Sequence, residues 1–168
     1  KREVSPMKVL LDVNVVLDLL LYERGFQASA SDALQKLTHA DCQLLFPTSS
    51  IDTLVFILTR ILKSEKDSVS KLKNLIDRYR IHLLSSTGND FFAIDQFSDL
   101  ADSLISNSAK RVSSDVRVLT RDATFDSQEL KKLTYEDVSE SFTKVENIPL
   151  LDLSREYHLM MEEIDHAL

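Results

Sequence analysis

The sequence predicts a three-layer α/β/α domain on a mostly parallel sheet of four or five strands, followed by a C-terminal helix. Three observations predict it. Short apolar runs lead into acidic residues, as Lys8–Leu11 does before Asp12 and Arg117–Thr120 before Asp122. Between such runs, apolar residues recur at helical spacing. Strands that alternate with helices imply crossover connections, and hence parallel pairing with both sheet faces covered.

The elements follow in order. Lys8 to Leu11 reads as a buried strand, and from Asn14 the spacing of Val15, Val16, Leu19 and Leu20 predicts a helix. A second helix runs from Phe26 to about His39, with Ala30, Ala33, Leu34 and Leu37 on one face. Gln43 to Phe46 is the second strand. Pro47 breaks the pattern, and Ser49 or Ser50 is positioned to cap a helix carrying Leu54, Val55, Leu58, Ile61 and Leu62. Glu65 to about Arg78 forms a charged amphipathic helix, and Ile81 to Leu84 a third strand. Gly88 and Asn89 open a long helical region reaching about Val112, and Arg117 to Thr120 is the fourth strand. Leu133 to Asp137 forms an edge strand or a turn.

The chain has 168 residues, the size of one compact domain, with 43% hydrophobic and 28% charged residues. A net charge of −7 supplies no broad basic footprint for non-specific nucleic-acid binding. The one locally basic stretch is Lys63, Lys66, Lys71, Lys73, Arg78 and Arg80, which reads first as a solvated helical face. Cys42 is the single cysteine, so no intramolecular disulfide forms, which suits a reducing compartment. No run reaches the length of a membrane span, since Asp18 interrupts the longest, and no membrane association is expected. The expected location is cytoplasmic. Residues 1–6 read as a leader or an expression remnant, residues 7–140 as the domain, and residues 141–168 as a linker and amphipathic helix.

The chemistry concentrates in acids. In open α/β sheets, ligands bind beyond the carboxyl ends of the strands. Asp12 and Asp122 fall at two such ends, and Asp99 and Asp102 lie one turn apart on the helical region leading into the last strand. Clustered carboxylates raise one another's pKa unless a cation neutralises them. Oxygen donors select Mg²⁺ or Mn²⁺, which can activate water and stabilise charge on a phosphodiester. Singly, each acid reads as a cap or a solvated residue, and Asp12 before a helix could simply cap it. His39, His82, His158 and His166 match no zinc spacing, and no phosphate-cradling glycine loop or aromatic stacking platform is evident.

Asp12-Val13-Asn14 with Val15-Val16-Leu17-Asp18-Leu19-Leu20 resembles the opening of PIN domains. Thr120-Arg121-Asp122 followed by Phe125 resembles the family's Thr-Arg-Asp…Phe signature, and Asp99-Leu100-Ala101-Asp102-Ser103-Leu104 resembles its third acidic segment. The resemblance spans Met7 to Val138. It implies a toxin-type ribonuclease dependent on Mg²⁺ or Mn²⁺, with Asp12, Asp102 and Asp122 holding metal. It further implies that Asn14 orients the first acid, Thr120 supports the last, and Asp99 is auxiliary. The family carries a Glu early in the helix after the second strand, and here Thr53 takes that position. Asp52 is one residue aside, about 100° around the helix, and is a candidate assistant. The competing implication is a catalytically degenerate module that binds RNA or protein.

The tail carries a second resemblance. Ile148-Pro149-Leu150-Leu151-Asp152-Leu153-Ser154-Arg155-Glu156-Tyr157, continuing to Glu163-Ile164-Asp165, resembles the start of DegT/DnrJ-type sugar aminotransferases. It implies a pyridoxal-phosphate aminotransferase domain in cis, whose core and Schiff-base lysine would lie beyond Leu168. Read by spacing alone, Tyr157, Met160, Met161, Ile164 and Leu168 form an amphipathic helix that packs on the domain or on a second copy, giving a homodimer. A haloacid-dehalogenase-like phosphatase fits less well, because Asn14 stands where its second nucleophile-motif Asp is needed. A receiver domain lacks its early acidic pair and late lysine.

Overall fold

A computed structural model describes residues 5–94, 99–125 and 130–142. The C-terminal helix and the aminotransferase-like segment expected after residue 141 fall outside the described residues beyond Phe142, as do residues 1–4 of the expected leader.

Five parallel strands form one sheet: β1 (Lys8–Leu11), β2 (Gln43–Pro47), β3 (His82–Leu84), β4 (Val116–Leu119) and β5 (Lys131–Leu133). Their spatial order is β3-β2-β1-β4-β5. The chain therefore builds outward from β1 on one side, then returns across the sheet to build on the other. Leu133 to Asp137, expected as an edge strand or a turn, is neither throughout: the edge strand β5 lies earlier and ends at Leu133, and Tyr135 to Asp137 open a short helix.

Side-chain alternation along the strands assigns the two faces. Val9, Leu11, Leu44, Phe46 and Leu119 join one core with α1 (Val13–Leu20), α2 (Gln27–His39), α3 (Ile51–Leu62), α4 (Glu65–Tyr79) and α7 (Tyr135–Phe142). Leu10, Leu45, Leu84, Val116 and Val118 join a second, smaller core with Ala109 and Ile105 of α6 (Leu100–Val112) and with Phe125 and Leu130. Those two cores are the outer boundaries of the middle layer, so the expected α/β/α layering is the one observed. Cys42 packs at the margin of the first core, where burial raises its thiol pKa.

One helical expectation needs correction. The region from Gly88 to Val112 is two helices, α5 (Gly88–Phe92) and α6, not one. Thr87 and Asp90 close a reciprocal capping box on α5, and Asp99 caps α6 by accepting the Asp102 amide at 2.9 Å. Two strong start signals within a dozen residues terminate any continuous helix. Asp99 is thus outside the helix and does not share a helical face with Asp102.

Candidate metal centre at the carboxyl edge of the sheet

β1 and β4 are neighbours whose outgoing connections diverge, to β2 on one side and β5 on the other. A crevice opens beyond the carboxyl ends of such a strand pair. Leu11 stands opposite Leu119, and the Asp12 amide extends the ladder by donating to the Leu119 carbonyl at 3.1 Å. The residues that follow, Asp12 and Thr120, are therefore held side by side by backbone pairing.

Asp12 occupies the N-cap of α1, yet its carboxylate makes no capping bond there. The Val13 amide, at the first residue of the helix, nonetheless favours its charged form. The Thr120 hydroxyl, 2% exposed, instead donates to Asp12 Oδ2 at 2.8 Å and accepts from the Asp122 amide at 3.0 Å. A single buried hydroxyl thus ties the first acid to the backbone of the second.

Burial pushes the Asp12 carboxyl above the usual carboxylate range, and the charge of Asp122 adds to it. Hydrogen bonds from Thr120, the Val13 amide and the Asn14 side chain act in the opposite sense and are outweighed. Asp122 is held low, chiefly because Thr124 donates to its Oδ1 from both hydroxyl (2.7 Å) and amide (2.8 Å). One acid is ionised readily and the other reluctantly, the electrostatic condition a nearby cation relieves.

The remaining predicted residues are placed as follows. α6 runs back across the sheet into β4, so its first turn, with Asp102, begins at the same carboxyl edge as Asp12 and Asp122. The first turn of α3, with Asp52 and Thr53, begins at that edge for the same reason, and both residues are exposed. Among the described residues, however, no three Asp, Glu, His or Cys side chains gather closely enough to hold a metal ion. The convergence of Asp102 with the other two acids, expected from the sequence, is therefore not present in this arrangement. Its backbone amide is engaged by Asp99, whose carboxylate serves α6 as a cap.

Asp12 and Asp122, tied through Thr120 and close enough for the charge of Asp122 to act on Asp12, are of the donor type that a hard divalent cation of the Mg²⁺ kind takes. That ion keeps several waters and takes one or two protein carboxylates, with substrate phosphate completing the shell. Asp12 and Asp122 would hold it, and the bound ion supplies Lewis acidity and a lowered water pKa.

Sequence reasoning missed the charge beneath this pair. Asp18 is fully buried on α1, yet it accepts four hydrogen bonds. Arg24 Nε donates to Oδ1 at 2.7 Å, Arg121 donates to Oδ2 at 2.7 Å and Oδ1 at 3.1 Å, and the Tyr135 hydroxyl donates to Oδ2 at 2.8 Å. Burial alone would lift the Asp18 carboxyl, but these donors outweigh it and hold the pKa low. The same burial and the same carboxylate push the Tyr135 phenol far up. Arg121 also lies over the Phe26 ring, 4.1 Å from its centroid, a cation–π contact. A carboxylate inside the otherwise apolar Val15–Leu21 run was the available signal.

Two predictions arise here. Thr120→Val keeps the shape but removes the bridge, leaving the half-buried Asp122 amide and the half-buried Asp12 carboxylate each short of a partner. The expected loss is about 1–3 kcal/mol in urea unfolding. The second concerns acid. Asp18 and Asp90 (4% exposed, held by Arg111, Thr87 and Ser108) both have folded pKa values below the ordinary 3.8. Their contribution is complete above that unfolded value and is lost as pH falls through the folded values. Melting temperature is therefore expected to drop steeply only below about pH 4, the unfolded carboxylate range.

No family model matches the chain, and no curated protein matches it in sequence. Among solved structures, a chain of the VapBC2 complex from Rickettsia felis, crystallised with a DNA fragment from their promoter, has the same fold. The TM-score is 0.58 at 14% identity, over 76% of this chain and 98% of that one. At that identity the likeness speaks for fold alone, and the three-layer α/β architecture with a parallel sheet that was read from the sequence is the architecture found.

Proposed function

We propose that this chain is a PIN-type ribonuclease that hydrolyses phosphodiesters with Mg²⁺ or Mn²⁺, in the manner of a toxin nuclease. The observation that carries the reading is the Asp12–Thr120–Asp122 arrangement at the junction of β1 and β4. It puts two acids where α/β sheets bind ligands, and it spends neither carboxylate on capping α1. In the proposal Asp12 and Asp122 hold the ion and Asn14 steadies Asp12. Asp102 approaches from the first turn of α6 when metal and phosphate draw it in, with Asp52 an outer assistant. RNA is the proposed substrate because the sequence motifs resemble those of PIN domains, and that resemblance implies a ribonuclease.

The test is incubation of the native chain with labelled RNAs in Mn²⁺, beside Asp12→Asn and Asp122→Asn chains. Cleavage by the native chain alone is the expected result. Equal cleavage by all three would assign the activity to a contaminant and remove the proposal.

A second reading is favoured by one observation: Thr53, exposed on α3, brings no carboxylate to the position where the family has Glu. On that reading the domain binds RNA, a protein or a second copy without cutting, and regulates an aminotransferase in cis. It predicts Mn²⁺ binding, or none, with no cleavage of any RNA.

A further inference from the structure

We propose that Asp18 is a positioning residue for the Asp12–Asp122 pair, acting through Arg24 and Asn14 on one side and Arg121 on the other. The inference rests on the metal reading above. A buried carboxylate with two guanidiniums is an expensive way to fill a core position, because desolvation offsets much of the attraction, and an apolar residue would pack there at lower cost. The residues before and after it in the helix, Leu17 and Leu19, are apolar and buried as it is. What the charge adds is direction.

Two routes lead from Asp18 to the acids. Arg24 donates from Nε to Asp18 and from Nη2 to Asn14 Oδ1 at 3.1 Å. Asn14, two residues on from Asp12, has its oxygen so held, and its side chain acts to favour the charged Asp12 carboxylate. Arg121 stands in the chain between Thr120 and Asp122, and its two bonds to Asp18 with the Phe26 stack pin the turn that carries both. Asp18 also occupies two cations that would otherwise pair with Asp12 and Asp122 directly, where they would compete with a metal ion. A guanidinium fork is needed on the first route, because one side chain must satisfy a carboxylate and an amide oxygen in fixed directions. Lysine offers a point charge and no such fork.

The experiment is Mn²⁺ binding, read by the loss of the free-ion signal in electron paramagnetic resonance. It compares the whole native chain with Arg24→Lys, Asn14→Ala and the double variant, each also melted by circular dichroism. Arg24→Lys keeps a charge opposite Asp18, so its melting temperature is expected near native. Its Mn²⁺ affinity is expected to fall about 10–100-fold, the usual loss when an outer partner of a metal ligand is removed. Asn14→Ala is expected to fall equally, and the double variant no further, since both break one route. Native affinity in Arg24→Lys, or losses that simply multiply in the double variant, would overturn the inference while leaving the metal reading standing. Absence of binding by the native chain would remove both.

Discussion

Asp18→Ala is expected to cost about 3 kcal/mol of folding stability, at the lower end of the range for breaking a buried ion pair. On a domain of this size that corresponds to a melting point lower by roughly 6–12 °C. The lower end applies because the orphaned cations are not fully enclosed: the Arg24 and Arg121 side chains are 27% and 32% exposed. They can turn toward water, whereas the Tyr135 hydroxyl, on a residue only 7% exposed, is left without its acceptor. Differential scanning calorimetry of the two chains at neutral pH checks this. An unchanged melting point would mean that the network contributes nothing net.

Asp12→Asn is expected to do two opposite things. Mn²⁺ affinity should fall by more than about 100-fold, beyond what loss of an outer partner causes, because a ligand itself is removed. The metal-free protein should nevertheless melt higher than the native one at neutral pH. The sign follows from the raised folded pKa of Asp12: ionisation is harder in the fold than in the unfolded chain, so the charge is destabilising above that folded pKa. Asparagine removes the charge and can still accept from the Thr120 hydroxyl. Asp122→Asn should weaken metal binding similarly but melt lower, since Asp122 has its pKa depressed by Thr124 and gives up stability when neutralised. Calorimetric titration with Mn²⁺, paired with thermal melts in chelator, reads both effects. Parallel melting shifts in the two variants would contradict the electrostatic description.

Much of the fold was written locally. The apolar runs before Asp12 and Asp122 located β1 and β4. Helical spacing located α2, α3 and α4, the buried face of α2, and Leu54 and Leu58 of α3, because burial on one side imprints a period on the sequence. Ile61, expected on that face of α3, is exposed. The helix break between Phe92 and Leu100 was harder to see, since Asp99, the cap that opens α6, was read as sharing a helical face with Asp102. Asp12, Thr120 and Asp122 were legible as candidates because strand ends are where α/β sheets present chemistry. Their bridging hydroxyl was not, since it needs the register of β1 against β4. Asp18 was visible only as an interruption of an apolar run. Its partners Arg24, Arg121 and Tyr135 come from three separate segments, and nothing near Asp18 in the chain announces two of them.

The place of β1 in the sheet has a consequence for synthesis. Its partner β2 follows soon after it, but the other flank waits for β4, and Asp12 and Thr120 are 108 residues apart. At ribosomal speeds of about 5–20 residues per second, the nascent chain spends roughly 5–20 s with that flank of β1 open. For the same interval the acids are strangers to one another. On the nuclease reading, the Asp12–Asp122 site cannot form, and cutting cannot begin, until β4 has paired with β1. The delay also leaves a strand edge for chaperones to shield, so poor folding during rapid overexpression is the cost of that built-in latency.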